Sequence, residues 1–272
     1  MSKQFTTTQV NSAYWRVMFS NPPMNLIDPE SILEFQQLVG DIESDENLRV
    51  VVFESADTDY FFSRFDLARA ADIPKGPGPS GLSTWIDMTT RISQMPVVSI
   101  ALIRGRTRGA GSELALAMDM RFASLEKAIF GQPEVAVGLI PGGGAIERLP
   151  LLTGRARALE IVLGADDFDA QTAERYGWIN RALPNDELDA FVDNLAQRIA
   201  SFDHSSLREA KHLINRHSLP TPADLVQTQN VFLAAASSWP SVSERGRRIR
   251  ERAASLGREF ELRLGHFLGS IR

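Results

Sequence analysis

"RGRTRGAGSELALAMDMRFAS", Arg104–Ser124, places Gly109, Ala110 and Gly111 ahead of a glutamate, Glu113, that an apolar helical run then encloses. Leu114, Ala115, Leu116, Ala117 and Met118 leave little polar surface around that carboxylate, and burying it is costly without partners. The residues alone leave two readings open. Glu113 complements the positive end of a helix dipole in the first turn, or it does chemistry. Small residues at a loop-to-helix junction admit a ligand to the backbone, and the unpaired N–H groups of a helix start suit an oxyanion.

Working outward, "PVVSIALI" (96–103) upstream reads as a buried strand, and Leu82, Trp85, Ile86, Thr89 and Ile92 before it mark a helical face that stops ahead of Pro96. "DIPKGPGPSGLS" (72–83) is a loop, because proline and glycine are too dense for anything regular. Nearer the N-terminus, "YWRVMFS" (14–20) and "RVVVFES" (49–55) read as strands around a helix carrying Ile32, Phe35, Leu38 and Ile42. Downstream come short strand-like stretches at 121–123 and 128–130, then "PGGG" at 141–144. From residue 155 onward helical patterns dominate, at 169–176, 187–201, 205–217, 222–238 and through much of the tail. The expected organisation is a mixed core over 1–200 followed by a helical region over 201–272.

Composition narrows the function. The 272 residues, 43% hydrophobic and 23% charged, describe an ordinary globular chain able to bury a large core. With no cysteine, disulfides, thiolate metal sites and thiol catalysis are excluded. A net charge of −5 argues against nucleic-acid binding, and the arginines of 245–258 alternate with Glu244, Glu251 and Glu259. No stretch reads as a signal peptide or membrane span, so the expectation is a cytoplasmic protein with no membrane partner.

Several motif chemistries fail on spacing. "GAGSEL" lacks the third glycine of a dinucleotide fingerprint, and no phosphate-cradling lysine loop occurs. Ser112 is not in a nucleophile elbow. His204, His212, His217 and His266 all lie in the C-terminal part without metal-ligand spacing, so no metal is expected. Carboxylate chemistry remains, with Glu134 in "FGQPE" a second acid beside a rigid proline turn.

"FGQPEVAVGLIPGGGAIERLPLLTGRARALEIVLGADDFDAQTAERYGWINRALP" (130–184), with "NPPMNLID" (21–28), "VVFES" (51–55) and the central stretch, resembles the crotonase superfamily, the enoyl-CoA hydratase/isomerase family, over roughly residues 10–215. The resemblance implies an α/β spiral of ββα repeats with a helical C-terminal region packing on the core and on neighbouring subunits, as a homotrimer or a dimer of trimers. It implies an acyl-CoA thioester as substrate, of the kind met in fatty acid metabolism, and no cofactor, since coenzyme A arrives as part of that substrate. Carried onto this chain, the thioester carbonyl would accept from the backbone N–H groups of Ser63 and Ala110. Glu113 and Glu134 would then supply acid and base for hydration, a lyase reaction. The alternatives are isomerisation or other enolate chemistry, and a catalytically silent paralogue that binds acyl-CoA.

The first oxyanion loop departs from the family's usual Phe-x-Ala-Gly-Ala-Asp, reading Phe61-Phe62-Ser63-Arg64-Phe65-Asp66, and Arg108 precedes the glycines where an apolar residue is usual. Arg64 and Arg108 would line the pocket and pair with a carboxylate on the acyl group or a CoA phosphate, or else pair with internal acids such as Asp66 and Glu113. Phe65, Asp66, Leu67, Gly109 and Pro133 complete the expected substrate-binding set.

Overall fold

The computed structural model describes residues 3–74 and 76–271. Met1 and Ser2 of the N-terminal stretch, Lys75 of the 72–83 loop and Arg272 lie outside it. The chain opens with β1 (Phe5–Asn11) paired antiparallel to β2 (Tyr14–Phe19). Strand β1 goes unread in the sequence, although its Thr/Val run has the β-branched composition of one, and so do the short strands Arg106–Arg108, Phe168–Asp169 and Arg181–Leu183. Helix α1 (Pro29–Ser44) follows, started by a capping box in which Asp28 accepts from the Ser31 amide at 2.7 Å while the Ser31 hydroxyl accepts from the Asp28 amide at 2.8 Å.

From β3 (Val50–Ser55) the chain winds between two sheets. After α2 (Thr84–Gln94), β4 (Val98–Ile103) joins the large sheet and β5 (Arg106–Arg108) the small one, and α3 (Ala110–Ala117) closes the turn. The next turn repeats this with β6 (Met120–Ser124), β7 (Ile129–Gly131) and α4 (Ala145–Thr153). Then come α5 (Arg155–Gly164), β8 (Phe168–Asp169), α6 (Ala170–Tyr176) and β9 (Arg181–Leu183). The large sheet runs β1-β2-β3-β4-β6-β9, parallel from β2 onward, and the small one β5-β7-β8. This is the ββα spiral. Its strands carry near-continuous apolar runs because both faces of the large sheet are covered.

The remaining elements are helical: α7 (Leu188–Ala200), α8 (His204–Ser218), α9 (Pro222–Ser238), α10 (Pro240–Leu256), α11 (Arg258–Leu262) and α12 (Leu264–Ser270). Phe260, Leu264, Phe267 and Leu268 of the last two pack on Ala136 and Val137, two and three residues after Glu134. The tail thus folds back onto its own core beside the site. Among the described residues, no helix is long and apolar enough to cross a membrane.

Candidate active site

Glu113 stands in the first turn of α3, 4% exposed, with Leu114 to Ala117 buried behind it. Its Oε1 accepts from the amides of Gly143 at 2.7 Å and Ala145 at 3.4 Å, so the carboxyl faces the N-terminal end of α4 as well as lying in that of α3. A Cβ at Gly143 would overlap both Glu113 Oε2 and the indole Nε1 of Trp85. The glycine turn at 141–144 therefore holds an acid where the sequence shows only a turn signal.

Glu134 reaches the same place from the Pro133 corner. Gly109, the N-cap of α3, has φ +48° and ψ −125°, a conformation in which a side chain is strained, and a Cβ there would lie 2.7 Å from Glu134 Oε1 and 3.9 Å from Pro133 Cδ. The junction thus admits the second acid. Glu134 is half-buried as a residue, yet its Oε2 is sealed and has no hydrogen-bond partner among the described residues.

The two carboxyls titrate apart from the usual range. Burial pushes Glu113 up to about 7, opposed by the Gly143 and Ala145 amides and by the Arg148 guanidinium, and assisted by Glu147. Glu134 is raised well above the ordinary carboxylate value, by burial first and then by the charge of Glu113. Near neutral pH Glu113 is the acid that ionises and Glu134 the one that keeps its proton. Arg148 is 4% exposed; its Nη2 donates to Thr89 O at 3.4 Å, while Nε and Nη1 have no partner among the described residues.

The backbone donors differ in part from expectation. Ala110 opens α3, and its N–H has no backbone acceptor among the described residues. The Ser63 amide, expected as the other donor, is engaged: it donates to Asn25 O at 3.0 Å. In this extended segment Arg64 O accepts from Ile27 N and Asp66 N donates to Ile27 O, both at 2.8 Å, so the Phe65 amide points away from that pairing and has no backbone acceptor among the described residues. Phe65, two residues beyond Ser63, is the free donor. Gly111 presses against Phe62 O, where a Cβ would overlap it, so the loop and the start of α3 are in contact.

Arg64 and Arg108 correct the expected substrate-binding set. Arg108, 1% exposed, forms a bidentate pair with Asp167 at 2.7 and 2.8 Å and donates to Glu261 O at 2.8 Å. Arg64 pairs with Glu261, its Nε 3.1 Å from Oε2, and also donates to Phe65 O. Both guanidiniums are engaged by internal acceptors and bind the tail to the core. The acids they find are neither Asp66 nor Glu113. Asp66 instead caps the 3-10 turn Leu67–Asp72 by accepting from the Ala68 amide at 3.0 Å, and Leu67 is 55% exposed at its start.

The structure therefore brings Glu113, Glu134, Gly109, Ala110 and Pro133 together and sends Arg64 and Arg108 elsewhere. Gly143, Arg148 and the Phe65 amide escape a functional reading of the sequence, although Gly143 sits in the one run of three glycines.

A family model described as enoyl-CoA hydratase/isomerase matches residues 9–241. The chain is 29% identical over 218 residues to a protein of Dictyostelium discoideum named as a probable mitochondrial enoyl-CoA hydratase, covering 78% of this chain and 76% of that one. It is 28% identical over 193 residues to a short-chain-enoyl-CoA hydratase of Clostridium acetobutylicum, covering 71% and 74%. A crystal structure from Streptomyces avermitilis, provisionally named an enoyl-CoA hydratase, superposes with a TM-score of 0.93 at 42% identity, covering 99% of this chain and 98% of that one.

Proposed function

This chain belongs to the enoyl-CoA hydratase/isomerase family, and from that premise we propose that it adds water across the C2=C3 double bond of an α,β-unsaturated acyl-CoA. The observation that carries the reading is the convergence of two carboxyls at the start of α3, Glu113 at Gly143 and Glu134 at Gly109, where Glu113 is pushed up to about 7 and its charge helps to hold Glu134 well above the ordinary range.

The thioester carbonyl accepts from the Ala110 and Phe65 amides. As the oxygen of water bonds to C3, the π pair moves onto the carbonyl oxygen as an enolate, whose charge those fixed donors stabilise selectively. Glu113 takes the proton leaving the water. The enolate collapses as C2 takes the proton of Glu134, and a proton passing from Glu113 to Glu134, directly or through solvent, restores both acids. No cofactor enters beyond the coenzyme A carried by the substrate.

The test is loss of enoyl-thioester absorbance with crotonyl-CoA and with longer, branched and aromatic thioesters. Glu113→Gln and Glu134→Gln should each lower kcat by about 10² to 10⁴. Acyl-CoA binding with no turnover of any thioester would replace this reading with a silent binding protein, and migration of the double bond without hydration would replace it with an isomerase.

The proposed assembly is a homotrimer or a dimer of trimers. Leu151 on α4, Leu163 on α5, Ile214 on α8 and Leu233 on α9 are 57%, 62%, 64% and 54% exposed, which supports an apolar surface covered by other copies. Light scattering of the purified chain checks it, and a monomeric mass would overturn it.

A further inference from the structure

Trp85 brings to the acid pair a polar donor that the mechanism above leaves without a task. It lies in the first turn of α2, where Thr84 Oγ1 donates to Gly76 O at 2.8 Å, Ser83 Oγ bonds Gln229 of α9, and Trp85 O accepts from Thr89 Oγ1 at 3.0 Å. Trp85 lines a cavity of about 10 Å³ with Phe62, Met88 and Leu114, so the ring lies against the core. Its polar edge lies at Gly143. A Cβ at Gly143 would overlap Trp85 Nε1 and Glu113 Oε2 alike, so both groups converge on the bare edge of that glycine. Glu113 Oε1 is already engaged by the Gly143 and Ala145 amides, which leaves Oε2 as the oxygen facing the indole. Trp85 Nε1 has no acceptor among the described residues.

An acceptor and a donor converging on one point define where a water sits and how it turns. With hydrogen bonds of about 2.8 Å, the water gives a proton toward Oε2, accepts the indole N–H on one lone pair and keeps the other free. That free pair is the nucleophile.

We propose that Trp85 is a further catalytic residue of this site: its indole N–H donates to the oxygen that becomes the 3-hydroxyl, so that the site recognises 3-oxygenated acyl thioesters. This rests on the hydration reading. The new bond is the one already described, from the water oxygen to C3, with its proton passing to Glu113; the indole keeps its own proton throughout. The same contact persists in the product, where the N–H donates to the 3-hydroxyl.

Trp85→Phe keeps an aromatic ring against Phe62 and Leu114 and deletes the donor; Trp85→Tyr keeps the ring and displaces the donor. In either variant, kcat for hydration should fall by about 10-fold or more with KM within about twofold, because the lost bond acts on the attacking water rather than on the thioester. Calorimetric titration with a 3-hydroxyacyl-CoA and with the saturated acyl-CoA of equal length should show the wild-type chain preferring the hydroxylated ligand about 5-fold or more. The variants should lose that preference. Equal weakening toward both ligands would make Trp85 a wall and overturn the proposal. So would a retained preference together with a moved acid limb of the pH profile, since the N–H would then serve Glu113. If the wild-type chain hydrates no enoyl thioester, the hydration reading falls and takes the catalytic role of Trp85 with it, while the binding preference separately decides whether the indole recognises a 3-oxygen.

Discussion

Arg108 and Asp167 meet through two parallel hydrogen bonds of 2.7 and 2.8 Å, one residue before the glycine that opens the active-site helix. Asp167 Oδ2 also accepts the amide of Gly265 at 3.2 Å, and Arg108 donates to Glu261 O, so this pair fastens α11 and α12 to the strand that leads into the site. Removing one partner leaves a buried charge without compensation. Arg108→Met should therefore destabilise the fold by about 3 kcal/mol, measured by urea unfolding, and should expose the segment after residue 240 to proteolysis first. Equal protease sensitivity along variant and wild type would contradict the tether.

Turnover should rise with pH through an acid limb near 7 as Glu113 ionises, and fall at higher pH as Glu134 loses its proton. The groups bearing on Glu113 are Glu134, Glu147, Arg148 and the Gly143 and Ala145 amides. Because the Arg148 cation lowers the Glu113 value, Arg148→Met should move the acid limb of kcat/KM to higher pH, and Arg148→Lys should bring it back. A limb that stays in place in Arg148→Met would show that this guanidinium only supports Thr89 and the turn.

Stability should run opposite to activity on the acid side. The folded chain holds the Glu113 proton up to about 7 against an ordinary value of 4.5, so it binds more protons than the unfolded chain between those limits. This contribution is fully present below 4.5 and is lost as pH rises through 7, an effect of about 1 to 3 kcal/mol. Glu113→Gln should be more stable than wild type at pH 8 than at pH 5 relative to the same comparison, read from denaturation midpoints. A pH-independent difference would contradict the buried, weakly compensated carboxyl.

Gly109→Ala should abolish most turnover without unfolding the chain. The added Cβ meets Glu134 Oε1 at 2.7 Å and forces a left-handed φ on alanine, so the acid must move before the backbone does. A loss in kcat of about 10²-fold with a destabilisation of about 1 to 3 kcal/mol is the expected outcome. Wild-type kcat in this variant would mean that Glu134 is not held at the junction.

Much of the site's frame is local and was legible. The helix that buries Glu113, its small residues, the Pro133–Glu134 corner and the glycine turn are each written in neighbouring residues, because periodicity, prolines and glycines act over a few positions. The amide assignment was not. Whether Ser63 or Phe65 presents a free N–H depends on the register of the loop against Asn25 and Ile27, and a shift of two residues leaves the motif looking the same.

The sequence by itself determined the strands and helices around the site, the two acids and the helix start, through local spacing, and its resemblance to the enoyl-CoA hydratase/isomerase family implied the ββα winding. Only the tertiary structure decided the partners and the charge states. Arg64 finds Glu261 across 197 residues and Arg108 finds Asp167 across 59, contacts that no local pattern encodes. Likewise, Glu113 and Glu134 differ in protonation because burial and their mutual repulsion act through space, where the folded chain alone sets the distances.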